Sequence, residues 1–232
     1  MKILLVNPNS TSSMTETARR SALRVASQGT EIIAETVATS PVSIEGHADE
    51  ARAVPGMLEA IIKAEAEGAE ATVLACFDDP GIGAAREVAK GPVIGICQAA
   101  VQVACTISAR FSVITTLPRS VPIIEDLVDA YGAGRQCRRV RSVDLPVLGL
   151  EEDPDLAYRK LRDEILLAAK EDGAEAIVLG CAGMAEMCGP LEDETGLPVI
   201  DGVSAAIKLA EAMVGGGFRT AKNGSYAYPR VK

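Results

Sequence analysis

The sequence predicts an α/β fold of two pseudo-symmetric halves, each built on a parallel sheet, with the functional site in the cleft between them. Three observations carry this. Short β-rich runs alternate with amphipathic helical stretches along the whole chain, the pattern of parallel α/β architecture. Hydrophobic residues make up 48% of the chain, yet only 3% is aromatic and Trp is absent, so Ala, Val, Ile and Leu must fill the interior, as in a sheet covered by helices. The chain also repeats itself. Asn9 and Thr116 end matching apolar runs, Ala71-Thr-Val-Leu-Ala-Cys76 answers to Ala176-Ile-Val-Leu-Gly-Cys181, and Pro92 answers to Pro198, at offsets of 107, 105 and 106 residues.

Taken in order, the apolar runs predict strands at 2–7, 31–38, 71–76, 92–96, 111–115, 139–145, 175–180 and 197–200. Between them the spacing turns helical, as in Leu58, Ile61 and Ile62, and predicts helices at 12–27, 50–67, 79–89, 98–109, 119–131, 155–172, 184–194 and 203–214. Ser10, Thr11, Ser12 and Asp155 are the expected helix starts, and Gly29, Gly68, Gly132 and Gly173 the expected stops. No Pro/Gly-rich linker separates the halves, so they should meet intimately. The expected division is a first domain of residues 1–97 plus 204–232 and a second of 98–203, the helix at 203–214 packing back onto the first half.

The formal charge of -9 argues against nucleic acid and anionic membrane as partners, since both would be repelled. The densest basic run, Arg135, Arg138, Arg139 and Arg141, reads as a solvated loop and strand edge. No stretch approaches the roughly 20 apolar residues of a membrane span, and the run after Met1 is too short for a signal peptide, so a cytoplasmic location is expected. There the six cysteines stay reduced; they form no C-x-x-C pairs, and one histidine leaves little for zinc, so no metal is expected.

Cys76 and Cys181 each end an apolar strand, and ligands of open α/β sheets bind beyond the carboxyl ends of the strands. Two facing sheets would therefore hold a small molecule between these thiols. A following helix N-terminus should lower the thiol pKa. Racemisation next to a carbonyl needs a base on one face and an acid on the other, and two equivalent thiols supply both by exchanging protonation state. Cys97, Cys105, Cys137 and Cys188 lack repeat partners and read as structural, and His47 as part of a surface loop. Asp78 and Asp79 are expected to cap the helix after Cys76, with either one also a candidate to orient substrate. Asn9 and Thr116 should reach the cleft, and the Gly180 and Gly183 amides should approach a developing enolate oxygen.

The motifs Val6-Asn-Pro-Asn-Ser10, Ala75-Cys-Phe-Asp-Asp-Pro80, Gly180-Cys-Ala-Gly183 and Tyr226-Ala-Tyr-Pro229 resemble the hydantoin racemase branch of the aspartate/glutamate racemase superfamily, and the likeness spans nearly the whole chain. The resemblance implies two flavodoxin-like domains, Cys76 and Cys181 as acid and base, no cofactor, and a homo-oligomer. It also implies substrate contacts from Asn9, Phe77, Asp78, Thr116, Ala182 and Gly183. The polar motifs that follow the cysteines of amino-acid racemases are here Cys76-Phe-Asp and Cys181-Ala-Gly, which suits a neutral cyclic ureide better than a free amino acid. Cofactor-independent racemisation of 5-monosubstituted hydantoins is therefore the expected function, with Phe77 near the 5-substituent. The alternatives are an allantoin racemase, a maleate-isomerase-like enzyme and a non-catalytic binding module. An arylmalonate-type decarboxylase is disfavoured because its relatives keep one catalytic cysteine.

Overall fold

The computed structural model describes residues 1–230. The first half runs β1 (Lys2–Asn7), α1 (Ser12–Val25), β2 (Glu31–Thr36), α2 (His47–Ala66), β3 (Ala71–Leu74), α3 (Ile82–Val88), β4 (Val93–Gly95) and α4 (Ile96–Ile107). The second runs β5 (Phe111–Thr115), α5 (Val121–Ala130), β6 (Cys137–Ser142), α6 (Gly149–Glu152), α7 (Pro154–Glu171), β7 (Ala176–Leu179), α8 (Cys188–Thr195), β8 (Val199–Asp201) and α9 (Gly202–Gly215). Two four-stranded parallel sheets result, with orders β2-β1-β3-β4 and β6-β5-β7-β8. They carry the same connectivity, so the repeat read from the sequence is a repeat of architecture.

Strand alternation distributes the core. Ile3, Leu5 and Val73 on one sheet, and Phe111, Val113 and Val178 on the other, point into one apolar cluster shared by both halves. The intervening residues face outward: Leu4, Val6 and Leu74 pack under α2 and α3, and Ile114, Ile177 and Leu179 under α7 and α8. Both faces of these strands are thus covered, which is why they read as continuous apolar runs. The last helix of each sheet crosses over: α4 lies against β7 and β8, and α9 against β3 and β4. The two helices pack on each other where Gly202 meets the carbonyl of Ile96, which a Cβ there would strike.

The register refines the repeat. Val6 pairs with Leu74 and Ile114 with Leu179, so Val6 and Ile114 are structural equivalents. Asn9 and Thr116 are therefore one residue out of register, and Thr116 answers to Pro8. The repeat does hold at Gly68 and Gly173, which follow α2 and α7 at φ 93 and 65, in the left-handed region that glycine enters without strain.

Two expectations change. Asp153, not Asp155, starts α7, its carboxylate accepting from the Leu156 amide at 2.9 Å. The basic run is only partly solvated: Arg138 and Arg139 are exposed, but Arg141 is buried. Its guanidinium meets Asp172 at 2.7 Å, Glu164 at 2.8 Å and Glu171 at 2.8 Å. The acidic face of α7 lies over the end of β6 and makes this arginine the hub of an ion network, a tertiary contact that local composition does not announce. Among the described residues no helix is long and apolar enough to cross a membrane.

Candidate active site

Cys76 and Cys181 come together at the carboxyl ends of β3 and β7 and line one cavity. Around them stand Asn9, Phe77, Asp78, Thr116, Gly180 and Ala182 of the expected residues, and also Met14, Ile44, Ala75, Thr115, Ser120 and Val147. The enclosed space is about 30 Å³, room for little more than one water, whereas ligand sites hold roughly 300 Å³ or more. The cleft is therefore narrow in this structure, although both cysteines keep partial exposure. Glu45 Oε1 accepts from the Val147 amide at 3.0 Å and ties together two loops from opposite halves over the thiols.

The local backbone treats the two thiols alike. The Asp78 amide donates to the Cys76 sulfur, and the Gly183 amide to the Cys181 sulfur, two residues on in each case. These bonds favour thiolate, but burial outweighs them. Desolvation, followed by the charge of Asp78, pushes the Cys76 thiol well above its ordinary range, and desolvation pushes Cys181 up to about 12. The expected lowering by a helix N-terminus is not found. After Cys76 the chain turns for several residues before the seven-residue α3 begins, and after Cys181 it enters a 3-10 segment over Ala182–Met187. Each thiol is thus a weak acid whose conjugate base is correspondingly strong, which suits removal of a proton from carbon.

Several side chains differ from their expected roles. Asp79 does not cap α3; its carboxylate accepts from the Cys97 and Gln98 amides at 3.2 and 3.0 Å and from the Tyr131 hydroxyl at 2.7 Å, capping α4. In the other half Asp201 does the same for α9, accepting from the Val203 amide at 2.7 Å and the Ser204 amide at 3.2 Å. One cap thus comes from the cysteine turn and the other from the strand end, and Gly95, at the position equivalent to Asp201, leaves room for the Asp79 carboxylate. The Gly180 amide is committed to the Ile114 carbonyl at 2.8 Å, so it is not free for an enolate oxygen, and Gly183 is not among the residues lining the cavity. Gly183 stands behind Cys181, where a Cβ would press on Leu150. Phe77 borders the cavity but belongs to the shared core, so its ring is held away from a mobile role. Asn9 is buried, and its Oδ1 accepts from the Thr11 amide and Asn7 Nδ2, both at 2.9 Å, while its Nδ2 faces Met14. His47 begins α2 with its side chain 83% exposed, as expected of a surface residue.

Asp78 is buried beside both thiols. Its carboxyl is raised to about 7, first by burial and then by the charges of Glu50 and Asp79. Above that pH its negative charge opposes thiolate formation at Cys76 and Cys181. We expect Asp78→Asn to shift the alkaline rise of kcat/KM toward lower pH, because the like charge is removed from both sulfurs. Because the thiols titrate high, a pH profile from about 6 to as far toward 12 as the enzyme stays folded checks this on the position of the limb, whatever the maximal rate; an unmoved limb contradicts it.

The Asp/Glu/Hydantoin racemase family model matches residues 3–210. The chain belongs to this racemase family. A hydantoin racemase of Rhizobium meliloti is 66% identical over 100% of this chain and 96% of its own, and one from Pseudomonas sp. (strain NS671) is 47% identical over 100% and 93%. The structure of an allantoin racemase from Klebsiella pneumoniae superposes with a TM-score of 0.98 at 46% identity, covering 100% of this chain and 95% of that one. The racemase fold expected from the sequence is therefore the fold observed, and the protein is an isomerase of this family. Met14, Ile44, Ser120 and Val147 escaped the sequence reading because they sit outside the cysteine motifs, on loops and helix starts that only the tertiary fold carries to the cleft.

Proposed function

We propose that the protein racemises 5-monosubstituted hydantoins with Cys76 and Cys181 as its two acid–base groups and without a cofactor. The observation that carries this reading is that two thiols from equivalent strand ends line one small cavity. In one direction the Cys76 thiolate takes the C5 proton, and the C–H electron pair moves into the ring as an enolate on C4. The Cys181 thiol then returns a proton to the opposite face, leaving Cys76 protonated and Cys181 as thiolate. The reverse reaction begins from that state.

The substrate assignment rests on the kinship with named hydantoin racemases and on the ring's own chemistry. C5 lies beside a carbonyl, and the ring has no carboxylate to oppose carbanion formation. A thiolate made strongly basic by burial can remove such a proton in a site free of bulk water. A pure enantiomer of 5-isobutylhydantoin incubated in deuterated water with enzyme dialysed against a chelator is expected to lose optical rotation while C5 takes up deuterium. Unchanged rotation and no uptake would refute the assignment.

A further inference from the structure

We infer that Met14, Ile44 and Val147 together form the pocket for the substrate's C5 substituent and set the preference for an apolar arm over a ureido arm. The inference rests on the hydantoin reading above. All three side chains line the cysteine cavity, and each is only 6% exposed. Buried apolar groups normally join a core, yet none of the three belongs to the apolar clusters of either half or the one they share. They come from separate places: the first turn of α1, the loop before α2 and the loop after β6. Their common property is that they face the space above the thiols.

Apart from Phe77, whose ring belongs to the shared core, the remaining lining is polar or small. Asn9, Asp78, Thr115, Thr116 and Ser120 offer the donors and acceptors that a ring with two carbonyls and two N–H groups requires. The cavity is thus amphipathic, as the substrate is. The two sulfurs fix where C5 must lie, and the arm on C5 has to leave the ring toward hydrocarbon. Ile44 and Val147 sit on the two loops tied by Glu45, so the arm would point toward these loops. An apolar arm gains burial there. A ureido arm would lose its hydration against side chains that return no hydrogen bond, the situation in which a buried polar group is penalised most.

The test compares kcat/KM for 5-isobutylhydantoin and for allantoin in the wild type, Val147→Thr and Met14→Gln. Val147→Thr keeps the shape and adds a hydroxyl; Met14→Gln keeps the length and adds an amide. The wild type is expected to favour the isobutyl compound at least about tenfold, and each variant to lower that ratio by about fivefold or more. A ratio between two substrates is insensitive to the fraction of folded enzyme, so a generally damaged variant leaves it unmoved. The inference is overturned if the wild type prefers allantoin, or if both variants leave the ratio unchanged. Racemisation of neither compound by the wild type instead refutes the hydantoin reading itself.

Discussion

Serine in place of Cys76 or of Cys181 will lower the racemisation rate by about a thousandfold or more, and to a similar degree at either position. In the proposed mechanism each face of the substrate carbon has one group able to carry a proton, and a serine hydroxyl is a far weaker acid than even a thiol raised by burial. Oxygen is also the smaller atom, so the substitution leaves the narrow cleft intact and the loss is chemical. Cys97→Ser is the control. Cys97 is fully buried in the shared core and does not line the cavity, although its amide helps to bind Asp79. If Cys97→Ser were as damaging as Cys76→Ser while Cys181→Ser was harmless, the paired-thiol account would fail. Polarimetry on each purified variant, with circular dichroism to confirm folding, decides the matter.

The largest stability effect is expected away from the site. Arg141→Ala should destabilise the protein by about 3–5 kcal/mol, because it strands carboxylates that the guanidinium now satisfies. The Asp172 side chain is only 6% exposed, and with Arg141 gone it keeps a single neutral partner, the Ser112 hydroxyl at 2.9 Å. The hydrogen bond to Arg141 holds the Asp172 carboxyl below its ordinary 3.8. A depressed carboxylate contributes stability that is present above the unfolded value and lost as pH falls through the folded one, so this contribution is complete at neutral pH and fades below about pH 4. Urea denaturation of the wild type and Arg141→Ala at pH 7 measures the difference. A cost under about 1 kcal/mol would place the network among weak surface pairs instead.

The architecture was legible because the chain says the same thing twice. Period-two burial on strands covered from both sides writes uninterrupted apolar runs, and the matched offsets between Cys76 and Cys181 and between Pro92 and Pro198 announce equivalent elements. Element ends were less legible, since they depend on partners distant in sequence. Asp79 looked like a local cap for the helix that follows it, but its left-handed turn, at φ 42, aims the carboxylate at α4. The acid strength of the thiols was misread for a similar reason. A strand end followed by glycine suggests a helix dipole, whereas the fold supplies a turn on one side and a 3-10 segment on the other, and desolvation dominates at both sulfurs. The ceiling of the site could not be read from the chain, because Met14, Ile44 and Val147 are ordinary apolar residues until the two halves close over the sulfurs.

The most direct measurement follows the C5 proton of each enantiomer separately in deuterated water with the two single-cysteine variants. If the sulfurs flank the reacting carbon, Cys76→Ser will exchange the proton of one enantiomer with retention, Cys181→Ser that of the other, and neither will invert its substrate. Exchange of the same enantiomer by both variants, or continued inversion by either, would mean that the thiols do not act from opposite faces.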